Sequence, residues 1–285
     1  MNKLLKTLAF DNQLTLSVLD TTDMVNDAIK IHNLSATAAA ALGRTLTVCT
    51  FMSSNLKNKS DKLSVTVCGN GTGGKITVCG NGDLQMRGSV DNPQAEVPLK
   101  PNGKLDVGAF VGKKGRLTVV RSMGLKEPYS GTSELVSGEI AEDFASYYCL
   151  SEQQPTAIAL GVKINTEYKC SAAGGIVLQA LPGAEEKNLI RAEEIINGLS
   201  NFSSVLEKKS AEEILKEYFG IDKYEEYHPE YKCLCSRDYI ERLLVSLGKK
   251  EVDDIIKTEG QIKVSCQFCN KEYVFTEEDA NELFR

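Results

Sequence analysis

The chain has 285 residues, 42% of them hydrophobic, and a formal charge of −6, which allows one sizeable domain with an ordinary core plus a smaller one. No apolar run approaches the roughly 18 residues a membrane helix needs, and the start MNKLLKTLAFDNQLTL turns polar too early for a secretory h-region. A folded, soluble, cytoplasmic protein is expected, and 33 basic against 39 acidic residues give no general attraction for nucleic acid or anionic lipid.

In chain order, LKTLAFDNQLTLSVLD reads as two short β runs, and the Ala- and Leu-rich stretch from Ser35 to Cys49 as a helix. The motif TVCGNG then occurs twice, at 66–71 and 77–82. A β-branched strand end before Gly-Asn-Gly supplies positive φ for tight turns and predicts an antiparallel meander. Further strands are expected at Lys75–Val78, Gln85–Val90, Gly115–Ser122 and Gly175–Leu181. SGEIAEDFASYYCLS (137–151) reads as a helix with Ser137 as its cap and Glu139, Glu142 and Asp143 near its start, where the dipole favours acids.

The chemistry becomes charged and amphipathic after Leu181-Pro182-Gly183. Leu189, Ile195, Ile196, Leu199, Phe202 and Leu206 recur at roughly helical spacing, and a second helix opens on a Ser210/Glu213 capping box and closes at Gly220. From Lys232 the expected elements are helices at Ser236–Leu247 and Glu251–Glu259, strands at Ile262–Val264 and Tyr273–Phe275, and a short helix at Thr276–Phe284. The fold class is therefore α+β, in three regions: a core domain at 1–182 with an antiparallel sheet, a helical linker at 183–231, and a C-terminal domain at 232–285 too small to hold itself together without a staple.

Nine cysteines in a chain with no export signal point to reduced thiols, metal ligation or redox chemistry rather than a disulfide framework. Cys49, Cys68, Cys79, Cys149 and Cys170 sit mostly beside small or apolar neighbours and read as inert core thiols. The other four form Cys233-x-Cys235 and Cys266-x-x-Cys269 across a 30-residue insert. Two close pairs separated by a small folded insert suit a tetrahedral four-thiolate zinc site, and CQFCNKEYVF has the form of a zinc knuckle. His228, five residues before Cys233, is the weaker fifth candidate. CxC is the unusual half: bridging i and i+2 requires a sharp backbone bend, and a strained disulfide is a labile one. The same four residues could thus alternate between metal-bound and oxidised states, and loss of the metal would unfold so small a domain.

Two other readings use the same cysteines. A permanent zinc ribbon on nucleic acid conflicts with nine basic against twelve acidic residues over Glu230–Arg285. A thiol-disulfide oxidoreductase could use CxC, although both pairs are then withdrawn from one metal. Elsewhere, GNGTGG (69–74) lacks the Gly-Lys-Ser/Thr ending of a phosphate loop, and Glu139, Glu142 and Asp143 have no nucleophile beside them in the sequence. No catalytic residue is assigned, and the chain is not expected to be an enzyme.

The run CLCSRDYIERLLVSLGKKEVDDIIKTEGQIKVSCQFCNKEYVFTEEDANELF resembles the C-terminal zinc domain of the redox-regulated heat-shock chaperones of the 33 kDa chaperonin family. GNGDLQMRGSVDNP, EPYSGTSELVSGEIAEDFASYYCLSEQQPTAIALGV and GGIVLQALPGA extend the resemblance over essentially the whole chain. It implies an ATP-independent holdase, inactive while Cys233, Cys235, Cys266 and Cys269 bind one zinc per reduced chain. It further implies activation by oxidants: Cys233 joins Cys235, Cys266 joins Cys269, zinc leaves, and the C-terminal domain and linker unfold. A homodimer is then favoured, and unfolding client proteins bind. The other five cysteines match no family motif and are open to stray disulfides under strong oxidant.

Overall fold

The computed structural model describes residues 1–124, 126–199 and 201–284. The chain divides into two compact units, Met1–Lys232 and Cys233–Arg285.

The larger unit opens with the hairpin β1 (Lys3–Ala9) and β2 (Leu14–Asp20). Helix α1 (Thr22–His32) follows, then α2 (Ala36–Ser53), started by the Ser35 hydroxyl accepting from Ala38 N at 3.2 Å. Next come β3 (Lys62–Cys68), β4 (Lys75–Asn81) and β5 (Gln85–Val90). The short helix α3 (Val107–Val111), β6 (Arg116–Ser122), β7 (Tyr129–Glu134) and α4 (Ala141–Leu150) lead to the long pair β8 (Thr156–Ile164) and β9 (Cys170–Ala180). Helices α5 (Glu186–Gly198), α6 (Phe202–Leu206) and α7 (Ala211–Phe219) precede two very short strands, β10 (Glu225–Tyr227) and β11 (Glu230–Tyr231).

One sheet runs β10-β1-β2-β9-β8, antiparallel throughout, and a second runs β11-β5-β4-β3-β6-β7, antiparallel except where β11 joins β5. Strands β3 to β5 form the meander that the TVCGNG repeat predicts, for a different reason than turn dihedrals. Positive φ falls at Gly74 and Leu84, not in the Gly-Asn-Gly triplets. Gly69 is instead required by close approach: a Cβ there would lie 2.1 Å from the Val111 carbonyl oxygen.

Helix α2 lies in the main core, which draws Val177 and Ile158 from one sheet and Val65, Val67 and Val78 from the other. It is buried on nearly every side, so its polar residues must be satisfied internally. Thr45, Thr47 and Thr50 each donate to the carbonyl four residues back at 2.8 Å. Because strand side chains alternate, Leu4 enters this core while Leu5, with Leu16 and Leu178, enters a second core on the opposite face of the first sheet. Helices α5 to α7 cover that second face through Ala192, Phe202, Ile214 and Leu215, and Phe219 meets Phe10 edge-on at 6.3 Å. The 183–231 stretch, set apart in the sequence by composition, is thus packed on the sheet and belongs to the larger unit. The Ser210/Glu213 box and the left-handed Gly220 cap bound α7 as expected.

Helix α4 begins three residues later than a Ser137 cap would place it. The cause is Asp143, a fully buried carboxylate that gathers the preceding loop. Its Oδ1 accepts from the amides of Val136 (2.7 Å), Ser137 (3.0 Å) and Gly138 (3.2 Å), and its Oδ2 from Ile140 (2.9 Å). Glu139 takes hydrogen bonds from Arg44 and Lys100. Burial opposes its ionisation, yet these two cations outweigh it and hold its carboxyl below the ordinary value.

The smaller unit contains α8 (Arg237–Leu247), α9 (Lys249–Glu259), the hairpin β12 (Ile262–Ser265) and β13 (Glu272–Phe275), and α10 (Glu277–Leu283). Its buried apolar core is Ile240, Leu244, Val252, Ile256, Ile262, Tyr273, Phe275 and Ala280. Among the described residues, no helix of the chain is long and apolar enough to cross a membrane.

Candidate metal centre

The two halves of the centre are built differently. Cys266 and Cys269 sit on the turn between β12 and β13, where the amides of Cys269 (3.3 Å) and Asn270 (2.8 Å) both donate to the Cys266 carbonyl. Asn270, at φ +56, takes the left-handed residue such a turn requires. Cys233 and Cys235 lie on the extended segment before α8, whose start is fixed by the Ser236 hydroxyl accepting from Tyr239 N at 3.2 Å. One sulfur pair is therefore held by a hairpin turn and the other by the entry to a capped helix.

All four Sγ atoms lie within 4.8 Å of one another. Cys233 Sγ is 3.6 Å from Cys266 Sγ, and Cys235 Sγ is 3.4 Å from Cys269 Sγ. A tetrahedral shell with Zn–S of about 2.3 Å has sulfurs about 3.8 Å apart, so the spacing fits one ion shared by four thiolates. Soft sulfur donors at this separation favour zinc over hard cations such as magnesium or calcium. All four cysteines are half-buried, and Cys235 packs against the small core.

The Tyr273 hydroxyl donates to Cys235 Sγ at 3.2 Å. Burial pushes the Cys235 thiol up, but this hydrogen bond and the neighbouring thiols more than offset it and hold the group at about 7. Burial pushes Cys233 and Cys269 up instead. Sulfurs this close cannot all ionise unaided, and a divalent cation held among them would supply the missing positive charge.

His228 is not part of the group of four. It lies in the larger unit, its Nε2 3.8 Å from Glu226 Oε1. The remaining cysteines correct the uniform reading as core thiols. Cys49 and Cys170 are buried, and burial pushes both thiols up, Cys170 to about 12. Cys79 is half-buried, with its thiol 3.6 Å from the Ser64 hydroxyl. Cys68 and Cys149 are exposed, because strand alternation turns the last residue of β3 outward and α4 presents Cys149 on its outer side beside exposed Leu150. Tyr273 is the site residue that sequence reading missed. Its signal was its position in the strand directly after the Cys266–Cys269 turn.

The profile described as Hsp33 protein matches residues 2–276. The chain belongs to the Hsp33 family. It is 41% identical to the 33 kDa chaperonin of Bacillus pumilus over 99% of its own length and 98% of that protein. It is 40% identical to the 33 kDa chaperonin of Clostridium perfringens, over 99% and 91% of the two lengths. The crystal structure of the 33 kDa chaperonin, a heat shock protein 33 homolog, from Thermotoga maritima matches with a TM-score of 0.91 at 34% identity, covering 99% of this chain and 97% of that one.

Proposed function

We propose that this protein is an ATP-independent holdase whose resting state is reduced and zinc-bound and whose active state is oxidised. The observation that carries the reading is the gathering of four sulfurs within 4.8 Å in a unit where, among the described residues, only eight make up the buried apolar core. So small a core leaves the fold dependent on ligation, because the binding free energy of a structural metal is also folding free energy. Zinc, one per reduced chain, supplies the charge and the cross-links that hold the unit together.

Oxidation acts on the ligand atoms themselves. Two peroxide molecules take four electrons from the four thiols and leave as four waters, while Cys233–Cys235 and Cys266–Cys269 bonds form. Sulfurs joined in this way no longer offer thiolates to a metal, and the unit loses its staple. The amphipathic helices α5 to α7, which cover the second core, then lose the folded neighbour that follows them in the chain, and apolar surface becomes available to unfolding client proteins. We assign the protein to the cytoplasm, where reduced thiols are the resting condition, and to a homodimer in the active state. Nucleic acid is not a partner in this reading, consistent with the acidic C-terminal unit, and no catalytic residue is needed.

The deciding experiment compares reduced and oxidised protein in suppressing light scattering from a thermally unfolding client. Activity in the oxidised form alone is expected; equal activity in both would remove redox control. Catalytic reduction of a test disulfide by substoichiometric protein would favour the oxidoreductase reading instead.

A further inference from the structure

Residues 225–232 form a strap that occupies the outer edge of both sheets. Strand β10 pairs antiparallel with β1, with Leu4 opposite Tyr227, Leu5 opposite Glu226 and Lys6 opposite Glu225. The chain then crosses, the Pro229 carbonyl accepting from Asn2 Nδ2 at 3.1 Å, and β11 pairs parallel with β5. Lys232 N donates to the Met86 carbonyl at 2.7 Å, and the Tyr231 hydroxyl to the Gly88 carbonyl at 2.9 Å. The next residue is Cys233, the first of the metal centre.

The grip on β1 is through the main chain and one part-exposed ion pair, Lys3 Nζ to Glu226 Oε1 at 3.6 Å. Glu225, Glu226 and Tyr227 are all exposed and contribute nothing to either core. Beyond that ion pair, an edge that holds a three-residue strand with no buried side chain recognises extended backbone more than a sequence. Strand β1 also has apolar side chains on both faces, Leu4 and Leu5 in the two cores, and Leu8 is 44% exposed. An uncovered edge of this kind is a template for another chain, and folded proteins ordinarily cover it.

We propose that the β1 edge is a client-docking site, covered by β10 in the resting protein and taken over, after the strap leaves, by extended apolar segments of unfolding proteins through strand addition. This rests on the holdase reading above and adds to it a location and a mode of binding with little sequence preference. Strands of three and two residues are at the weak end of sheet pairing, so the strap can leave while β1 stays paired with β2 along its full length.

The test is hydrogen exchange of the full chain, reduced and oxidised, with and without guanidinium-unfolded citrate synthase as client. Within Leu4–Lys6, the amides that face β10 are expected to lose protection on oxidation and regain it when client is added, while the β1 amides bonded to β2 stay protected throughout. Client held without renewed protection there, or protection that never falls on oxidation, would overturn the proposal while leaving the holdase reading standing. Renewed protection that tracks protein concentration without client would also overturn it, by assigning the edge to a second copy. If no client is held in any state, the holdase reading fails and this proposal with it. A second variant locks the strap: Lys6→Cys with Glu225→Cys places a cross-strand pair directly opposite, within disulfide reach. The locked protein is expected to oxidise its four native thiols and lose zinc normally, yet hold no client; full holding by the locked form would contradict β1 docking.

Discussion

The Tyr273 hydroxyl and the Cys235 sulfur are 3.2 Å apart, the phenol donating to the thiolate from a ring that is itself part of the small unit's core. One of the four sulfurs positioned to hold a metal is thereby tied to the packing of β13. Tyr273→Phe removes this hydrogen bond and keeps the ring. Loss of one partner to a ligand atom typically weakens metal binding by roughly 10- to 100-fold. Chelator competition on reduced protein should give a fall in that range with the one-zinc stoichiometry retained.

Substituting the sulfurs separates the centre from the scattered cysteines. Cys235→Ser leaves three ligands, and the C-terminal unit should lose zinc and helical circular dichroism together, because ligation and folding are one equilibrium there. Cys68→Ser and Cys149→Ser alter exposed positions and should leave zinc content unchanged, with stability within about 0.5 kcal/mol of the parent.

Ile214 is fully buried where α7 packs on the first sheet, among Leu5, Leu16 and Phe202. Ile214→Ala should cost about 2–5 kcal/mol in denaturant unfolding of the larger unit. If that helical cover limits client access, the reduced variant should also bind more of an apolar dye than the reduced parent.

Glu139 makes acid stability legible. Its folded-state pKa lies below the ordinary 4.5, since hydrogen bonds from Lys100 and Arg44 outweigh its burial. A depressed carboxyl stabilises the fold fully above its unfolded pKa and ceases to do so as pH falls through the folded one. Glu139→Gln should therefore lower stability near neutral pH, and the gap from the parent should close as the pH falls below about 4. Thermal unfolding across that range measures it.

The cysteine pairs could be read in the sequence because their spacing is set by ligation geometry, which is local, and α7 because Ser210, Glu213 and Gly220 are capping signals. Helix α4 was misplaced at its start because Asp143 draws four preceding amides onto one buried carboxylate, a contact that Ser137 capping propensity does not encode. Strands β10 and β11 left no pattern at all: Glu225, Glu226 and Tyr227 neither alternate nor bury, and only the edge of β1 makes them a strand. Likewise, nothing local to Cys68 and Cys149 distinguishes an outward thiol from a core one; strand register and helix packing decide it.

The measurement closest to the central claim follows zinc release, loss of free thiols and suppression of client aggregation in one peroxide titration of the reduced chain. The account predicts that one zinc leaves as the four thiols of Cys233, Cys235, Cys266 and Cys269 disappear, and that holding activity rises with it. Zinc that stays bound after those four thiols are oxidised, or client holding that is already complete before any are lost, would contradict it.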